Sequence, residues 1–153
     1  MSASVVLTAG DAAAELLARV LLAEAGHRGL AAVEGVASVA LNRARCVMAG
    51  GEAEARFAGG EAAATLPRAL IAVLRAPFQF PCRHPRHPRH GVFAAPPEGP
   101  ALAMCRRVAA RALAGGVPDA TGGALRWHEE GRLPGWAVGR APIAELGGLV
   151  FYG

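Results

Sequence analysis

The chain has 153 residues, 53% of them hydrophobic and 18% charged. That balance excludes an intrinsically disordered protein and fits one domain, 1–153, burying about 70% of its unfolded surface. All 16 basic residues are arginine and the net charge is +4, which favours an anionic partner: nucleic acid, an acidic surface or a cell-wall polymer. No stretch interleaves aromatic and basic residues as base stacking requires, so no nucleic acid is expected.

The opening MSASVVLTAG lacks the basic start and apolar length of a signal peptide, so synthesis in the cytoplasm without such a leader is expected. Thr8 and Asp11 then mark a helix start, a hydroxyl followed three residues later by an acid. The helix should run to about Ala25, with Gly26 as its stop. Glu15, Arg19 and Glu24 interrupt its apolar run, so no membrane span is expected. At 100° per residue Ala13, Leu17, Val20 and Leu21 share a face, and Glu24 falls in the middle of it. A carboxyl in an apolar setting keeps its proton to higher pH, as a general acid must. A glutamate at a helix end can equally turn its carboxylate to solvent, and the pattern alone leaves both readings open.

A second helix is expected over 30–46. Val33, Val36, Ala37 and Ala40 form its stripe, but Leu30, Val39 and Leu41 spread round the cylinder, which marks a central helix. Residues 49–64 read as a loop with some helical tendency, and Pro67 opens a short helix through Leu74 that Pro77 ends. The segment 80–100, FPCRHPRHPRHGVFAAPPEGP, reads as an extended surface loop. In polyproline II geometry His84, His87 and His90 line one edge about 9 Å apart, too far for one tetrahedral ion even with Cys82 unless the loop folds back. A cationic loop on an anionic wall polymer, with no metal, is the expectation there. A clear helix follows from about Ala101 and closes at Gly115. The last segment holds short extended pieces and turns. Cys46, Cys82 and Cys105 are odd in number, widely spaced and without a CxxC pair, so reduced thiols are expected. The fold class expected is mainly α (α+β), with a small β-hairpin or loop region near the C-terminus.

LLAEAGHRGLAAVEGVASVALNRAR, residues 21–45, resembles the opening of the SleB-like cell-wall hydrolases: an acid in EA, a short linker, then a central helix ending in LNR. RAPFQF at 75–80, DATGGALRWHEE at 119–130, PGW at 134–136 and VFY at 150–152 follow in the family's order. The resemblance implies a lysozyme-like fold and cleavage of peptidoglycan glycan strands, commonly as a lytic transglycosylase. It puts Glu24 at the catalytic acid's position and Gln79, Phe80, Thr121, Trp127, His128 and Tyr152 along the substrate. Asn42 is a structural amide near the site, no cofactor is implied, and Asp119, Glu129 and Glu130 are the carboxylates a hydrolase could add. Phe80, Trp127 and Trp136 remain open between sugar platform and core. The chain departs from the family in two places: Leu30, Ala31 and Ala32 stand where it has Y-E-G, and Leu149 where it often has His. A non-catalytic wall-binding or phage-particle module of the same fold is the alternative. Action at the wall would require a holin, an exporter or a phage-like particle.

Overall fold

The computed structural model describes residues 6–153; residues 1–5 of the opening stretch weighed above as a leader lie outside the described residues. The fold is mainly helical with a three-stranded antiparallel sheet near the C-terminus, an α+β arrangement. In chain order the helices are α1 (Ala9–Ala25), α2 (Leu30–Ala49), α3 (Glu52–Ala58), α4 (Leu66–Arg75), α5 (His90–Ala94) and α6 (Pro100–Leu113). The strands are β1 (Arg126–Glu129), β2 (Ala144–Leu146) and β3 (Leu149–Tyr152).

Helix α1 starts on a reciprocal cap: Thr8 Oγ1 accepts the Asp11 N–H at 3.0 Å and Asp11 Oδ2 accepts the Thr8 N–H at 3.2 Å. Its expected face is buried at Ala13, Leu17, Val20 and Leu21. The helix ends at Ala25, but Gly26 keeps right-handed backbone angles and opens a 3-10 turn, Gly26–Arg28. The left-handed joint is Gly29, at φ 93°, where the chain swings into α2.

Helix α2 is the axis of the molecule. It is buried from Ala32 to Val47 on several sides, and α1, α3, α4 and α6 all pack on it. Its alanines and Gly35 let those neighbours approach closely, which explains why a chain with few aromatics still closes a core. The helix runs one turn past the expected end, to Ala49. The stretch expected as loop at 49–64 contains α3, whose first turn carries Glu52 and Glu54 and whose Gly59 cap is left-handed.

The segment 80–100 corrects the expectation of an extended loop. It folds into successive turns and the short helix α5. The N–H groups of His84, His87 and His90 donate to the carbonyls of Pro81, His84 and His87, so each turn ends on the residue that begins the next. Pro85 and Pro88 occupy the second position of their turns, where a fixed φ is an advantage. His84 and His87 accept the N–H of Arg86 and Arg89 on Nδ1, both at 3.1 Å, and His90 Nδ1 donates to the Cys82 carbonyl at 2.9 Å. The histidines close turns, and among the described residues no group of three potential ligands is placed to hold a metal ion. Cys82 is fully buried, and all three cysteines are free.

Strand β3 is central, in the order β1-β3-β2, with Trp127 opposite Phe151 and His128 opposite Val150. Leu149 and Phe151 face the helical core, while Val150 and Tyr152 close a small cluster with Ala137 and Trp136. No helix of the described residues is long and apolar enough to cross a membrane.

Candidate functional site

A cleft of about 790 Å³ opens between the end of α1, helix α3, the tandem-turn segment and the sheet. Glu24 lines it from the last turn of α1, together with Gln79, Trp127 and His128 among the residues expected from sequence. Its carboxylate is half-buried, and Oε1 accepts the Cys82 N–H at 2.8 Å. Burial lifts the Glu24 carboxyl above its ordinary value of 4.5, while the Cys82 bonds and the Arg89 guanidinium pull the other way. The last turn of α1 is itself held: Arg89 donates to the Ala23 carbonyl and to the Leu22 carbonyl, which also accepts the Gly26 N–H. The Pro/His/Arg segment is thus a wall of the cleft that fixes Glu24 from two sides.

Arg43 lies beneath the opposite wall, 7% exposed. Its Nε donates to the Leu125 carbonyl at 2.8 Å and Nη1 to the Gln79 carbonyl at 3.0 Å. The guanidinium sits 5.6, 5.3 and 5.5 Å from the ring centres of Phe57, Phe80 and Trp127. Burial, then the charges of Arg126 and Arg56, lower its pKa to about 10, so it remains a cation at neutral pH. Arg43 follows Asn42 in the LNR stretch and was not marked from sequence. It joins α2 to β1 and to the Gln79 turn, which decides where both cleft walls stand.

His128 carries its proton on Nδ1, because that atom lies 2.7 Å from the Glu129 carbonyl, which only accepts. Nε2 then accepts the Tyr152 hydroxyl at 2.8 Å. Trp136 stands edge-on to Tyr152, with ring centres 5.2 Å apart, and Arg126 lies over the Trp136 ring at 5.5 Å.

Several expected residues stand elsewhere. Phe80 is 1% exposed and tilts against Trp127 behind the cleft wall, so it is a core ring. Thr121 is fully buried and builds its own turn, donating to Asp119 Oδ1 at 2.6 Å and accepting the Ala124 N–H at 3.1 Å. Asn42 donates to Asp119 Oδ2 at 3.0 Å and to the Ala124 carbonyl at 3.1 Å, tying that turn to α2. Asp119 is therefore committed to structure, and its bonds to Thr121 and Asn42 outweigh burial and hold its carboxyl below the usual range. Tyr152 is buried and reaches the cleft only through His128. Of the three further carboxylates, Glu129 alone lines the cleft, and it is ion-paired to Arg28 at 3.4 Å.

The cleft also holds residues that no sequence pattern marked. Phe78 lines it at 95% exposure with a left-handed φ of 64°. A bulky residue there gains no burial and bears about 1–2 kcal/mol of backbone strain. Leu133, 66% exposed, also lines it, as does Trp136 of the PGW stretch, left open from sequence between sugar platform and core. Arg56, Arg126 and Arg132 complete the lining. Comparison with protein-family models, with curated proteins and with solved structures gave no match for this chain.

Proposed function

We propose that this chain cleaves peptidoglycan glycan strands as a lytic transglycosylase, with Glu24 as its general acid and base. The observation that carries the reading is one desolvated carboxyl in an aromatic and cationic cleft, at the position that the SleB-like resemblance gives to the acid. Glu24 would protonate the oxygen joining N-acetylmuramic acid to N-acetylglucosamine as the bond to the muramic C1 breaks. The resulting carboxylate would take the proton of the muramic C6 hydroxyl, whose oxygen closes on C1 to give a 1,6-anhydro ring. The Cys82 N–H bond fits both halves: it orients the acid and stabilises the carboxylate that forms. A single-acid scheme also suits a cleft whose other carboxylate, Glu129, is engaged by Arg28.

The test is Glu24→Gln, which keeps the shape and an acceptor for Cys82 but cannot donate the proton. Release of soluble glycan from purified sacculi should fall by at least about 100-fold, the usual worth of a general acid. Digestion at the native rate would refute the role of Glu24.

A second reading has its own observation. Leu149, 1% exposed, lines the cleft where the resemblance calls for His. A wall-binding module that has lost catalysis would sediment with sacculi and release nothing.

A further inference from the structure

The charges of the cleft are unbalanced in a way that catalysis by Glu24 does not require. Five arginines line it, Arg43, Arg56, Arg89, Arg126 and Arg132, against two carboxylates, Glu24 and Glu129. Arg43 and Arg89 spend their donors on backbone carbonyls, and Glu129 turns to Arg28. Among the described residues the guanidiniums of Arg56, Arg126 and Arg132 have neither an ion pair nor a hydrogen bond to protein, and the half-buried Arg126 is braced on Trp136. Burial first, and then the charges of Arg56 and Arg140, lower the pKa of Arg126. Elsewhere on the surface Arg19 and Arg106 share Glu15 and Arg106 also reaches Glu98, while Arg68, Arg75, Arg107 and Arg111 are scattered singly with no ion pair among the described residues. What sets Arg56, Arg126 and Arg132 apart is that the three line one concave cleft together, where a single ligand can supply the counter-charge.

We infer that Arg56, Arg126 and Arg132 recognise the carboxylates of the stem peptides borne by the glycan, which makes the peptide-bearing strand the substrate class of this cleft. The inference rests on the reading of Glu24 above and names what that site selects. A stem peptide leaves the glycan at the muramic lactyl group, on the sugar whose C1 bond Glu24 would break. Its carboxylates therefore travel within a few bonds of the reacting centre. A guanidinium offers a planar pair of donors that matches a carboxylate, and a ring beneath it fixes that plane.

The test uses soluble, uncross-linked glycan strands free of phosphate polymers, either intact or with their peptide carboxylates converted to amides. The native protein should show kcat/KM about tenfold higher on intact strands, mostly through KM, since each charge-assisted bond lost costs about that factor. The ratio should shrink toward one at high salt, and also in the Arg56→Gln/Arg126→Gln double variant and in Arg132→Gln, whose exposed side chain makes no contact that folding needs. Affinity of the Glu24→Gln protein for both strands reads recognition without cleavage. Preferential binding of intact strands with cleavage of neither would sink the catalytic reading and support the inference. Equal cleavage of both, or tighter binding of a single-stranded oligonucleotide at the same salt, would overturn the inference and leave the catalytic reading standing.

Discussion

Glu24 and Phe78 each bear a cost that packing does not explain. For Glu24 the cost is electrostatic and has a definite sign. A carboxyl whose folded pKa lies above its ordinary 4.5 binds its proton more tightly in the folded state than in the unfolded one. Its contribution to stability is then complete below 4.5 and is lost as pH rises through the raised value. Glu24→Gln stays neutral throughout and should remove that part of the decline. Urea midpoints of the two proteins measured from about pH 4 to about pH 8 should diverge, with the variant the more stable at the upper end. Parallel curves would show that burial does not act on this group as described. For Phe78 the cost is backbone strain without burial. Phe78→Gly relieves the strain but frees the unfolded chain, so stability should move by less than about 1 kcal/mol. Glycan cleavage should drop, through KM, because a sugar loses its apolar platform. An unchanged KM would make Phe78 a bystander. Glu24 was legible as a position on the apolar face because a helix turns 100° per residue, though that pattern alone left open whether its carboxylate turns inward or to solvent. Phe78, Arg56 and Arg126 were not, because they meet only when α3, the turn after α4 and the sheet come together.

Between elements, the contact of α2 with β3 sets the geometry behind the cleft. A Cβ at Gly35 would stand 2.5 Å from Cζ of Phe151, a fully buried ring with no room to move. Gly35→Ala should therefore destabilise by about 1–3 kcal/mol despite its gain in helix propensity, as overpacked cores do. A thermal midpoint equal to or above the native one would contradict the packing of β3 on α2. The helices were largely readable: the cap at Thr8 and Asp11, the buried stripe of α1, the apolar girth of α2 and the glycine closing α6 are local signals. The segment 80–100 was misread for a physical reason. Repeated prolines suggest polyproline II when backbone donors are left to water, but His84 and His87 accept those donors on their ring nitrogens and let turn follow turn. The role of Thr121 was hidden likewise, since a buried hydroxyl that satisfies its own turn and one that faces a ligand look alike in sequence.

Taken whole, the molecule gathers four of its aromatics and three arginines without an ion pair in one cleft. Phe57, Phe78, Trp127 and Trp136 line the cleft that Arg56, Arg126 and Arg132 enter, while the helical core is built mostly from alanine, valine and leucine around the Phe80 and Phe151 rings. The five arginines and two carboxylates of the lining make the cleft a local concentration of the chain's formal charge of +4. Association with an anionic polymer should weaken steeply between low and physiological salt, whereas the fold should not. The resemblance read from the LNR, QF and GGA stretches agrees with this layout at Glu24 and at the cleft-lining Gln79, Trp127 and His128. It departs at Leu149, where a polar group would face the substrate. The central claim, a single desolvated acid that both breaks the glycan and closes the product, is tested most directly by mass spectrometry of sacculi digested with the native protein. Products ending in 1,6-anhydro-muramic acid are predicted; free reducing ends, or no soluble product, would contradict it.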